Sequence, residues 1–122
     1  MDEKLLIVED EDTLCVSLQR VLSREGYEVD IADSAESAFK LLEHRSYDLI
    51  ITDIILPGIS GIELLAKYRK INPAQKVIII TAFASLTTAV ESIKVGACDF
   101  IVKPLMHDEI KRAVRKALEI TG

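Results

Sequence analysis

Hydrophobic and polar positions alternate between two patterns along this chain. Short aliphatic, β-branched runs occur at 4–8 (KLLIV), 27–32 (YEVDIA), 48–53 (DLIITD), 76–81 (KVIIIT) and 98–102 (CDFIV). Runs of this length and composition predict strands. Between them, apolar residues recur at helical spacing. Leu14, Leu18, Val21 and Leu22 share one face of the first predicted helix, and Ala38, Phe39 and Leu42 one face of the second. Ile62, Leu65 and Tyr68 mark the third, Ala89, Ile93 and Ala97 the fourth, and Ile110, Val114, Ala117 and Leu118 the fifth. Punctuation agrees with these bounds. Gly26 follows the first helix, Asp33 with Glu36 resembles a capping box opening the second, and Asn72-Pro73 closes the third.

Strand–helix alternation repeated five times predicts parallel strands with helices on both faces. Strands one, three and four are nearly continuous aliphatic runs, as central strands should be. Strand two alternates more, as an edge-side strand would. The chain of 122 residues fits one domain, with no linker, repeat or low-complexity segment.

Charge and cysteine content narrow the function classes. The net charge of −5 argues against a generic grip on nucleic acid or anionic membrane. No apolar run approaches a membrane span, and the N-terminus lacks a signal-peptide pattern. Cys15 and Cys98 lack C-x-x-C spacing and read as small packing residues of a reduced, cytoplasmic protein. His44 and His107 have no ligand-like neighbours in sequence and read as surface residues. Lys111, Arg112, Arg115 and Lys116 read as the solvated face of the last helix.

In an open parallel sheet, the working crevice lies outside the carboxyl ends of the strands. Glu9 and Asp10 follow strand one, Asp53 ends strand three, Thr81 ends strand four and Lys103 follows strand five. The topology predicts that these five share one crevice. Three ionised carboxylates give −3 in a small volume and call for a cation. An all-oxygen set without His or Cys suits Mg²⁺ (or Mn²⁺). Mg²⁺ together with Lys103 would bring the site to zero and ready it for a phosphoryl group.

The segments "LIVEDE", "DLIITDIILPGISG", "VIIITAFA" and "GACDFIVKP", in that order, resemble the receiver domain of bacterial two-component response regulators. The resemblance spans essentially the whole chain. It implies a flavodoxin-like (βα)5 fold, a doubly wound five-stranded parallel sheet in order 2-1-3-4-5. It implies that Asp53 is the phosphoacceptor, and that Asp10, Glu9, Asp53 and the backbone carbonyl of Ile55 hold the metal. It assigns Thr81 as the switch hydroxyl, Lys103 as the phosphate-contacting lysine and Phe100 as the aromatic switch residue. It also implies a cis Lys103-Pro104 bond. The partners it implies are a sensor histidine kinase and an effector, in the same chain or in another protein, with a homodimer as a further expectation. Parts of the sequence look most like receivers of the nitrogen-regulation class, which precede an ATPase and a DNA-binding domain acting on sigma-54 promoters. Residues 1–122 are then one receiver domain at the N-terminal end of a longer regulator.

Other readings fit less well. A haloacid-dehalogenase-type phosphatase needs an acid two residues after its nucleophile, where this chain has Ile55. A flavin carrier needs a phosphate cradle in the first loop, where "EDEDT" would repel it. A stand-alone receiver, or a pseudo-receiver that binds partners without phosphorylation, remains as an alternative. The domain is expected to be a phosphoacceptor module and no enzyme acting on external substrates.

Overall fold

A computed structural model describes residues 2–119 of the chain. Strands and helices alternate: β1 (Lys4–Val8), α1 (Asp12–Arg24), β2 (Glu28–Ala32), α2 (Ala35–Leu42), β3 (Leu49–Asp53), α3 (Gly61–Ile71), β4 (Val77–Thr81), α4 (Leu86–Lys94), β5 (Asp99–Val102) and α5 (His107–Glu119). The strands form one parallel sheet in the order β2-β1-β3-β4-β5. Topology and strand bounds agree with the sequence pattern to within one residue.

Alternate side chains of a strand point to opposite faces. Leu5 and Ile7 of β1 therefore enter one core layer, with Leu18 and Leu22 of α1 and Ile110 and Val114 of α5. Leu6 and Val8 enter the other, with Ala38 of α2 and Leu64 and Leu65 of α3. Every residue of β3 and β4 is buried, which is why their runs carry no alternation. The edge strands each begin on an exposed polar residue, Glu28 in β2 and Asp99 in β5. The register sets the site. Val8 pairs Thr52, Asp53 pairs Ile80, and Thr81 pairs Val102, so β1, β3, β4 and β5 end close together.

Three local expectations are corrected. The cap of α2 is Ser34, whose hydroxyl oxygen accepts from the Ser37 N–H at 3.0 Å, while Asp33 accepts from the Ser37 hydroxyl at 2.8 Å. Glu36 turns outward to Lys40 at 3.7 Å. The reciprocal capping box stands instead at α4, between Ser85 and Thr88. Second, α4 does not bury Ile93, which is 71% exposed. It buries Ser92, whose hydroxyl donates to the Thr88 carbonyl at 2.7 Å and so enters the interior already satisfied. Ala97 lies past the end of this helix. Third, Cys98 is exposed, and only Cys15 is a buried packing residue. His44 and His107 are exposed, as expected.

Candidate functional site

Asp53 is the last residue of β3 and is 6% exposed. Ile55 donates its N–H to Asp53 Oδ1 at 3.2 Å. Pro57 and Gly58 then lead the chain away, with Gly58 at φ +82°, a conformation that L side chains rarely adopt. From β1, Glu9 follows directly and is 1% exposed. Its N–H donates to the Ala32 carbonyl at 3.0 Å, extending the β1–β2 pairing by one residue. From β5, Lys103 reaches across both. Its Nζ donates to Glu9 Oε1 at 2.5 Å and to Asp53 Oδ2 at 2.6 Å. The Lys103–Pro104 bond is cis.

One ammonium thus serves two buried carboxylates. Burial pushes the Glu9 carboxyl above the usual carboxylate range, the Lys103 hydrogen bond and the Glu11 N–H oppose this, and the Asp53 charge adds to it. Burial alone would lower the Lys103 pKa, but the hydrogen bonds to Asp53 and Glu9 outweigh it and raise it. Lys103 therefore stays charged while the two carboxylates compete for it.

The other expected residues are placed as follows. Asp10 is exposed and lines, with Asp12, Phe39 and Pro57, a groove of about 980 Å³ beside the strand ends. Thr81 is fully buried, and its hydroxyl oxygen accepts from the Phe83 N–H at 3.0 Å. Phe100 is half-buried against the layer that holds α2 and α3. Ile55 and Phe83 are exposed apolar residues, each two positions beyond a strand end. Among the described residues, no three His, Cys, Asp or Glu side chains are arranged to hold a metal ion. Glu9 and Asp53 are drawn to Lys103, and Asp10 is exposed on the groove beside them. The donor chemistry nevertheless fits a hard divalent cation: oxygen ligands only, and a buried carboxylate pair that already takes a cation between its members.

Two contacts were not anticipated. Thr52 is fully buried, and its hydroxyl donates to the Asp53 carbonyl at 2.9 Å. A hydroxyl inside a run buried on both faces demands a partner, and that was the sequence signal. Cys15 donates its thiol to the Glu9 carbonyl at 3.1 Å, and burial with the nearby acids pushes that thiol up to about 11. Nothing in its spacing marks it.

Comparison with known proteins bears on the family and the fold. The family described as "Response regulator receiver domain" matches residues 5–115. The chain is 38% identical over 117 residues to the transcriptional regulatory protein ZraR of Escherichia coli O157:H7, a match covering 96% of this chain and 26% of ZraR. It therefore spans about a quarter of that relative's length. The beryllofluoride-activated NtrC4 receiver domain dimer superposes with a TM-score of 0.91 at 31% identity, covering 95% of this chain and 96% of that one. The response regulator TrrA of Thermotoga maritima, solved in complex with Mg(2+)-BeF, gives 0.86 at 37% identity, covering 95% and 99%. With a matching family over nearly all its length, and the same fold in its relatives, this chain belongs to the receiver domains of two-component response regulators.

Proposed function

We propose that Asp53 accepts a phosphoryl group from the phosphohistidine of a sensor kinase. The observation that carries this is Lys103 bridging Glu9 and Asp53 at the carboxyl ends of three strands. An Asp53 oxygen attacks phosphorus as the P–N bond to the imidazole breaks. Lys103, already charged beside that oxygen, neutralises a phosphoryl oxygen of the product. Glu9, Asp10, Asp53 and the Ile55 carbonyl would hold Mg²⁺ (or Mn²⁺), which, when bound, screens the repulsion between carboxylate and phosphoryl group. The Thr81 hydroxyl gives up the Phe83 N–H and turns to the phosphoryl oxygens. Phe100 then moves into the space released.

The readout is the surface of α4, β5 and the start of α5. Leu86, Val90, Ile93, Val102 and Met106 are all exposed there. Such a patch suits a partner surface. In the related NtrC4 receiver the activated form is a dimer. The exposed face of α4, β5 and the start of α5 would here take a second copy, or an effector domain in a longer chain. The likeness to ZraR favours a transcription regulator as that effector, and the resemblance of the sequence to nitrogen-regulation receivers favours the sigma-54 activator class.

Acetyl phosphate labelling of the purified chain tests the central claim. Label should appear with Mg²⁺ and vanish in Asp53→Asn, which should still fold. Absence of label on the unsubstituted chain would favour a pseudo-receiver.

A further inference from the structure

Asp53 carries two kinds of contact, and only one survives the reaction. The contacts from Ile55 and Lys103 go to carboxylate oxygens. Those oxygens change role when one of them becomes bonded to phosphorus. A second set holds the main chain. The Thr52 hydroxyl donates to the Asp53 carbonyl at 2.9 Å. Gly61, the first residue of α3, donates its N–H to the neighbouring Ile54 carbonyl at 2.8 Å. A Cβ on Gly61 would stand 1.9 Å from the Asp53 carbonyl oxygen and 2.9 Å from Thr52 Oγ. Helix α3 therefore starts in direct contact with the end of β3, and the loop between them, which includes Ile55, is closed at its base. The β1–β3 pairing stops at Thr52, while β4 still pairs Asp53 through Ile80, so the clamp adds to the sheet on the side where the β1 ladder has ended.

We propose that Thr52, backed by Gly61, is the positioning residue of the phosphoacceptor. It fixes the Asp53 main chain so that the carboxylate keeps its line of attack when its own hydrogen bonds are exchanged. In-line displacement tolerates little error, with reacting atoms held at about 3–3.5 Å. Preorganised support within about 0.5 Å is the usual requirement for such a site. The clamp supplies it from a backbone atom that the chemistry leaves untouched. Side-chain contacts alone cannot, because they are the groups being redistributed. This inference rests on Asp53 being the phosphoacceptor.

The test compares the unsubstituted chain, Thr52→Val, Thr52→Ser and Gly61→Ala, with acetyl phosphate and saturating Mg²⁺. An Asp53 oxygen forms the new bond to phosphorus and acetate leaves with the electrons of the old one. Label is followed by intact mass, and folding by circular dichroism and thermal melting. Val keeps the shape of Thr and lacks its O–H. Thr52→Val should fold and show a saturated labelling rate lower by about tenfold, with the half-saturating acetyl phosphate concentration unchanged. Thr52→Ser should recover the rate to within about twofold. Gly61→Ala, which pushes α3 from the Asp53 carbonyl, should reproduce the slow rate where it folds. Thr52→Val labelling at the rate of the unsubstituted chain overturns the clamp alone, as does Thr52→Ser falling as far as Thr52→Val. An unsubstituted chain that takes no label overturns the phosphoacceptor reading and the clamp with it.

Discussion

Lys103 holds two buried carboxylates at 2.5 and 2.6 Å, and its removal isolates the forces in the site. Leaving buried charges without their partner costs about 3–5 kcal/mol. Lys103→Met should therefore lower the melting temperature at neutral pH. Excess Mg²⁺ should recover part of that loss, and more of it than it adds to the unsubstituted chain. A Lys103→Met protein whose melting ignores Mg²⁺ would show that Glu9 and Asp53 do not form a cation site. Asp53→Asn acts in the other direction. It removes one of two competing carboxylates and leaves the Glu9–Lys103 pair intact, so its melting temperature should stay near that of the parent while its label disappears. At this scale the sequence placed Glu9, Asp53 and Lys103 at strand ends that the structure brings into contact. It did not show that Lys103 spans two acids, that Asp10 is exposed, or that the Thr52 hydroxyl donates to the Asp53 carbonyl. Those depend on side-chain directions in three dimensions.

Each element obeys local rules, and its exceptions identify its surroundings. The connection between α2 and β3 is tied to edge strand β2 through Asp30, which accepts from the Tyr47 hydroxyl at 2.6 Å and from Arg45 at 2.8 Å. Burial, with the Asp30 hydrogen bond and charge, pushes the Tyr47 hydroxyl up to about 12. A raised folded-state pKa favours the protonated form. Its contribution is fully present below the ordinary tyrosine value of about 10 and is lost as pH rises toward about 12. Tyr47→Phe should cost about 1 kcal/mol at neutral pH. It should also flatten the alkaline loss of stability between those limits. Burial raises Tyr27 too, so some slope should remain. Denaturant melts at stepped pH would show both effects. Helix α4 breaks its apparent pattern for a related reason. Its Ser92 is satisfied by the helix itself and can be buried, which releases Ile93 to the surface. Spacing alone favoured Ile93, because periodicity counts apolar residues and cannot see a satisfied hydroxyl.

At the scale of the molecule, the proposed acceptor site lies at the strand ends and exposed apolar residues gather on α4, β5 and the segment before α5. Leu86, Val90 and Ile93 on α4 continue to Val102 on β5 and Met106 before α5. Beryllofluoride with Mg²⁺ should convert the chain to a dimer through this face, measured by sedimentation. Leu86→Lys with Ile93→Lys should keep it monomeric and leave Asp53 labelling unchanged. Both side chains are exposed, so stability should move by no more than about 0.5 kcal/mol. Dimerisation that persists in the double variant would place the interface elsewhere.

The order of elements, the central strands and the acids and lysine at the strand ends were all legible in the sequence. Each rests on local information, namely period, length and residue type, and parallel connectivity constrains the rest. Tertiary structure alone decided the face that α4 buries, the exposure of Cys98, and the way Lys103 shares its charge between Glu9 and Asp53. It also decided the contact of Gly61 with the Asp53 carbonyl. These are outcomes of competition among neighbours far apart in sequence, and the competition is settled only when the sheet brings them within reach.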